Sequence, residues 1–148
     1  FFSEMTDSVF SHKGTVDKFV GDMMMATFGV PYPKPDDTKR AIETAIDMQM
    51  RIQVLSKKWA PLTISMGIGI NTGEVIFGNI GSLEHMDFTV IGDPVNVAQR
   101  LESVALPGQI LVTNEIADET KADFYFRSLE EITVKGKAKP LLVKEVVY

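Results

Sequence analysis

The chain of 148 residues contains no cysteine. That excludes disulfides, thiolate metal sites and cysteine nucleophiles, and it suits a cytosolic setting. Only two histidines occur, His12 and His85, and neither has metal-ligand spacing around it, so neither is given a role. Lys and Arg number 15 against 20 Asp and Glu, a formal net charge of −5. Broad nucleic-acid affinity, which needs a basic face, is therefore not expected. The longest apolar runs fall far short of the ~20 residues of a membrane helix, and no signal peptide is visible. No direct membrane contact by this domain is expected. Phosphate-loop, dinucleotide-fold and Ser-His-Asp signatures are missing as well; Gly67-Ile-Gly69 reads as small residues in a strand.

What is present is ordinary for one globular domain with a substantial core: 45% hydrophobic and 24% charged residues, with no repeat or internal boundary. The sequence opens Phe1-Phe2-Ser-Glu-Met without an initiator Met and reads as a helix already under way. It is expected to be a piece of a longer protein.

Residues 1–12 have helical spacing, with Phe2, Met5, Val9 and Phe10 toward one side. Two β-rich runs, Thr15–Val20 and Met23–Phe28, are joined by Gly21-Asp22, where Gly in the first loop position suits a type II′ hairpin turn. The Met23-Met24-Met25 triplet reads as core packing. Pro31, Pro33 and Pro35 make a stiff loop, after which Asp36 or Asp37 caps a long helix. The apolar stripe of that helix is Ala41, Ala45, Met48, Ile52, Leu55 and Trp59. Strands are predicted over 62–70, 74–80 and 86–91. A helix follows with Asp93 as N-cap and Pro94 at its first position. A strand at 109–113, a helix near 114–121 and strands near 124–134 and 141–147 complete the chain. Interleaved helices and hairpins predict an α+β fold, a mixed sheet with helices packed on one face.

Several polar residues stand out against this framework. Asp22 lies at a hairpin tip, a rigid mount for a carboxylate facing a hard cation, although Gly-Asp is also plain turn chemistry. Asn96 and Arg100 are four residues apart and share a helical face, with Val97, Ala98 and Leu101 on another. Arg offers a planar fork of donors for phosphate oxygens and Asn both a donor and an acceptor; a solvated helix face explains the pair equally. Lys18 and Thr89 are hydrogen-bonding groups in strand-like runs, fit for a purine or for ordinary strand positions. Lys135, Lys137 and Lys139 form a basic loop, either a phosphate clamp or a solvated turn.

The order of the motifs is more telling than any one of them. Lys18-Phe-Val-Gly-Asp22, Gly67-Ile-Gly-Ile-Asn-Thr-Gly73, Gly78-Asn-Ile-Gly81, Phe88-Thr-Val-Ile-Gly-Asp-Pro-Val-Asn-Val-Ala-Gln-Arg100 and Val134-Lys-Gly-Lys137 succeed one another as in the class III nucleotidyl cyclases. The chain resembles that family over essentially its whole length. The resemblance implies a ferredoxin-like (βαββαβ-type) domain that works as a head-to-tail homodimer, with active sites at the interface. In such sites two Asp residues of one subunit hold two Mg²⁺ or Mn²⁺ ions, and the partner supplies the base-selecting and transition-state groups. The 3′-hydroxyl of the nucleotide attacks its own α-phosphorus, giving a cyclic 3′,5′-monophosphate and pyrophosphate.

Carried over by motif, Asp22 is similar to the second metal Asp, Asn96 to the residue that orients the ribose and Arg100 to the one that stabilises charge at the α-phosphate. Lys135 matches the group that holds the terminal phosphates, and Lys18 and Thr89 the two purine-selecting positions. Lys there implies adenine, so the expected substrate is ATP and the product cyclic AMP. Thr89 is similar to many bacterial members and to the bicarbonate-responsive ones. Two departures stand out. The strand that carries the family's first metal Asp has no counterpart, because the sequence begins after it; little or no turnover is expected from these residues alone. An Arg that some members place near the phosphates is replaced by Gly67. The alternatives are a guanylyl cyclase, a non-catalytic regulatory member of the family, and a diguanylate cyclase on a related fold. The last carries a Gly-Gly-Asp/Glu-Glu-Phe hairpin where this chain has Val20-Gly-Asp-Met23.

Overall fold

The computed structural model describes residues 1–81, 84, 86–134 and 136–148; Lys135 and His85 lie outside the described residues. The elements run α1 (Phe2–Ser11), β1 (Thr15–Val20), β2 (Met23–Thr27), α2 (Asp37–Lys58), β3 (Ile68–Ile70), β4 (Ile76–Gly81), β5 (Met86–Ile91), α3 (Asp93–Val104), β6 (Ile110–Thr113), α4 (Asn114–Thr120), β7 (Tyr125–Ser128) and β8 (Val143–Val147). This is an α+β fold, as the sequence predicts. A mixed sheet has the order β3-β6-β8-β7, and two further two-stranded units are the hairpins β1-β2 and β4-β5. Among the described residues only β3 and β6 pair in parallel; β6-β8 and β7-β8 are antiparallel.

One expectation about layering is corrected. Helices cover both faces of the mixed sheet rather than one. On one side Ile110, Val112 and Val146 pack with Ile42 and Ala45 of α2 and Ile116 and Ala117 of α4. On the other, Leu111 and Val143 pack with Val97 and Leu101 of α3. Neighbours along a strand point to opposite faces, so the unbroken apolar run Ile110-Leu111-Val112 is what a strand buried on both sides requires. A third cluster, Met5, Val9, Met48 and Ile52, joins α1 to α2, with Val16, Met24 and Ala26 of the first hairpin packed on it. Of the four apolar residues expected on one side of α1, Met5 and Val9 are buried while Phe2 and Phe10 are exposed.

Two boundaries also shift. The strand expected over 62–70 has its ladder only from Ile68, because the preceding segment passes Ala105, whose carbonyl oxygen would lie 3.0 Å from any Cβ at Gly67. No side chain fits there without moving that loop. Asp93 is the first residue of α3, whose N-cap is Gly92 at φ 148°. Asp36, the N-cap of α2, makes no side-chain cap hydrogen bond among the described residues. Gly21 has the positive φ (59°) expected at the first turn position while Asp22 does not, which agrees with the type II′ assignment.

Candidate active site

The helix that carries Asn96 and Arg100 is placed by small residues beneath it. Val97 and Leu101 anchor its inner face and are fully buried. Gly69 of β3 lies so close to α3 that a Cβ would overlap the Ala98 carbonyl and the Glu102 amide. Gly73 meets the ring of Pro94 in the same way. Between them, Asn71 Nδ2 donates to the Pro94 carbonyl at 3.2 Å, and Thr113 Oγ1 donates to Asn71 Oδ1 at 3.1 Å. The Gly67–Gly73 motif is therefore a seat for α3, holding its first turn to β6 and its middle to β3.

With the helix fixed, Asn96 and Arg100 project from its exposed face. The segment leading into the basic loop runs alongside. Arg100 Nε donates to the Thr133 carbonyl at 3.2 Å, and Val134 is buried next to it in sequence. Further on, Lys137 pairs with Asp93 at the start of α3. The loop of lysines is thus secured at both ends to the helix bearing Arg100, and of its cations Lys137 is engaged by Asp93. Lys135 sits between these two anchors in sequence, outside the described residues. Among the described residues the terminal nitrogens of Arg100 and the side chain of Asn96 have no partner, so both remain able to bind oxygen atoms of a ligand.

A second group forms around β1 and β5. The β1-β2 register runs Val16↔Ala26, then Lys18↔Met25, so Asp17 is an extra residue in a β-bulge. Bulges re-aim side chains, and this one turns the Asp17 carboxylate inward. Its Oδ2 accepts from Thr89 Oγ1 at 2.6 Å and lies 3.8 Å from Lys18 Nζ. Asp17 and Thr89 are buried, whereas the Lys18 side chain is 41% exposed. Lys18 and Thr89, which the sequence puts 71 positions apart, are brought together through one carboxylate oxygen. Sequence reading overlooked Asp17. The available signal was an Asp and a Lys adjacent in an otherwise apolar strand, where strict alternation would have set them on opposite faces.

Asp22 stands at the hairpin tip, exposed. Among the described residues it has no hydrogen bond or ion pair, and no group of three or more His, Cys, Asp or Glu is spaced to hold a metal ion. An exposed, uncompensated carboxylate suits a hard divalent cation, but one Asp is an incomplete ligand set. Asp22 also lines a cavity of about 710 Å³ between β2, α2, β3 and α3. Its walls are largely apolar, including Met5, Met24, Ala45 and Met48, and Lys18, Thr89, Asn96 and Arg100 are not among them. Asn96, Arg100 and much of Lys18 lie on exposed faces instead, whereas Thr89 is buried.

Outside the helices and strands of the core, the two hairpins carry an apolar surface. Phe19 and Val20 of β1, Ile76 and Phe77 of β4 and Phe88 and Ile91 of β5 are all exposed, with the rings of Phe77 and Phe88 edge-to-face at 5.0 Å. Contiguous exposed apolar surface marks a protein interface more often than a solvated face.

Residues 1–145 match the family model described as the adenylate and guanylate cyclase catalytic domain. An adenylate cyclase of Mycobacterium tuberculosis is 37% identical over 137 residues, covering 92% of this chain and 30% of that protein. The chain thus spans about a third of the length of this curated relative. Among solved structures, the adenylyl cyclase CyaB from P. aeruginosa superposes with a TM-score of 0.92 at 36% identity, covering 99% of this chain and 78% of that one. The guanylyl cyclase Cya2 superposes with a TM-score of 0.90 at 32% identity, covering 98% and 75%.

Proposed function

The chain belongs to the adenylate and guanylate cyclase catalytic domain family, and we propose that it is the catalytic core of an adenylyl cyclase converting ATP to 3′,5′-cyclic AMP and pyrophosphate. The observation that carries the choice of base is the meeting of Lys18 and Thr89 at Asp17 Oδ2. An ammonium donates only and so complements the unprotonated N1 of adenine, whereas guanine presents an N–H there. Thr89 is the second contact, for the exocyclic group at C6.

The site is shared between two copies of the chain. The exposed aromatic and aliphatic residues of the two hairpins support a head-to-tail homodimer, in which Asp22 of one protomer faces Lys18, Thr89, Asn96 and Arg100 of the other. Asn96 orients the ribose so that its 3′-oxygen is in line with the α-phosphorus. As the 3′-oxygen bonds to the α-phosphorus, its proton passing to water, and the bond to the pyrophosphate oxygen breaks, charge builds on the α-phosphate oxygens. Arg100, held by Thr133 and α3, meets it without reorganising, the kind of preorganised help worth several kcal/mol. Lys135 neutralises the terminal phosphates. Asp22 would be a ligand for Mg²⁺ or Mn²⁺, two of which would supply charge neutralisation and activation of the hydroxyl. The other metal Asp would come from a strand upstream of Phe1 in the whole protein. A cytoplasmic location fits the substrate, and no helix among the described residues is long and apolar enough to cross a membrane.

Guanylyl cyclase activity is the second reading, favoured by the likeness to Cya2. The test is product analysis with the whole protein, Mn²⁺ or Mg²⁺ and either ATP or GTP. Cyclic AMP as the main product is expected; cyclic GMP as the main product would overturn the choice of base. A protein that binds nucleotide but forms neither product would make it a regulatory member of the family.

A further inference from the structure

We propose that Asp17 is a specificity-positioning residue: from its β-bulge it takes the hydroxyl proton of Thr89 in a hydrogen bond, and so makes Thr89 an acceptor toward the base. The proposal rests on the adenylyl cyclase reading above and deepens it.

A threonine hydroxyl has one proton and two lone pairs. Free to rotate, it serves a donor or an acceptor alike, and it would accept adenine, whose C6 carries an amine, and guanine, whose C6 carries a carbonyl, with little preference. In this structure the proton is committed. Thr89 Oγ1 lies 2.6 Å from Asp17 Oδ2, and a carboxylate can only accept. What Thr89 then offers a ligand is lone pairs alone. These suit an amine and repel a carbonyl oxygen. Sites whose polar groups are committed in this way reject a mismatched analogue far more strongly than shape can.

The backbone shows how the commitment arises. In a regular strand Asp17 would face away from Lys18. The register slip between Val16 and Lys18 removes that alternation, and the Asp17 side chain is only 5% exposed although it belongs to a two-stranded hairpin. The same Oδ2 is 3.8 Å from Lys18 Nζ, so one carboxylate oxygen lies beside both base-selecting groups. Thr89 itself is buried, and open space adjoins it across the ladder. Gly78 is the cross-strand partner of Thr89, directly paired residues project to the same face, and a Cβ at Gly78 would meet nothing within 4 Å.

The test compares kcat/KM for ATP and for GTP in the whole protein, as wild type, Asp17→Asn, Thr89→Val and the double variant. An Asn amide can donate to Thr89, which turns the hydroxyl proton toward the base. Asp17→Asn is expected to lower the ATP-to-GTP ratio about tenfold or more, through a higher KM for ATP and a gain with GTP. In the Thr89→Val background the same change should leave the ratio where Thr89→Val put it. Asp17→Ser, too short to reach Thr89, is read in the same way if Asp17→Asn folds poorly. An unchanged ratio, or an equal loss of kcat with both nucleotides, overturns the proposal while leaving the cyclase reading intact. A drop of the same size with and without Thr89 overturns the route through that hydroxyl. A wild type that makes no cyclic AMP removes the underlying reading, and the proposal with it.

Discussion

Arg100 Nε donates to the carbonyl oxygen of Thr133 at 3.2 Å, which fixes the guanidinium relative to the loop of lysines and leaves its terminal nitrogens pointing away from that bond. A side chain held by one edge while the other faces a ligand can stabilise developing charge without moving. Arg100→Lys tests this use of the fork. Lysine gathers its donors on one nitrogen and lacks the planar fork that holds Thr133 at one edge while the other edge faces the phosphate. A fall in kcat of about 10²–10³ with a small change in KM is expected in steady-state assays, since the lost contact belongs to the transition state. A rise in KM alone would assign Arg100 to ground-state binding.

The seat of α3 gives a prediction remote from the substrate. Gly69→Ala adds one methyl group where Ala98 and Glu102 backbone atoms already lie. Helix α3 must then shift, carrying Asn96 and Arg100 with it. Overpacking of this kind costs about 1–3 kcal/mol, visible as a lower denaturant midpoint. Activity should fall well beyond what the loss of folded protein explains. Normal stability with normal activity would show that α3 does not rest on Gly69.

Arg40 supports the other side of the molecule. Buried in α2, it donates to the carbonyls of His12 (3.0 Å) and Lys13 (3.1 Å) and pairs with Asp36 and Asp37. Lys13 has a positive φ of 61°, so these bonds hold a strained turn between α1 and β1. Arg40→Met leaves both carbonyls and Asp37 without their partner, and a loss of about 3 kcal/mol in chemical denaturation is expected. The hydrogen bond from Arg40 also holds the Asp36 carboxyl below the usual carboxylate range. A lowered value in the folded state means that this contribution is complete above the unfolded carboxylate pKa and disappears as pH falls through the folded one. Arg40→Met should therefore flatten that part of the acid limb of stability against pH.

The parts of the fold legible in the sequence are those written in side-chain periodicity and turn chemistry. Val97 and Leu101 as the inner face of α3, Met48 and Ile52 in α2, and the Gly21-Asp22 hairpin all appear where spacing puts them. Features decided by backbone contact across long separations were not legible. The run Ile110-Leu111-Val112 is compatible with a strand covered on one face or on both, and only its neighbours decide. Gly69 and Gly73 look like small residues until α3 lies against them. Asp93 has the sequence position of an N-cap, yet it starts the helix and pairs with Lys137, because Gly92 takes the non-helical conformation ahead of it. The bulge at Asp17 is of the same kind. The adjacent Asp17 and Lys18 in Thr15–Val20 break the alternation, but the partner of Asp17 at Thr89 lies 72 positions away and is not written in the strand.

The most direct test of a cyclase site shared between two copies is mixing Asp22→Ala with Arg100→Ala in the whole protein, each first shown to be folded, dimeric and inactive alone. In the proposed homodimer the two positions fall on opposite sides of the shared site, so a mixed dimer would contain one doubly altered site and one intact site. With random exchange of subunits, cyclic AMP formation should recover to about a quarter of the wild-type rate. Mixed dimers that form and stay inactive with ATP would contradict a site assembled from both protomers.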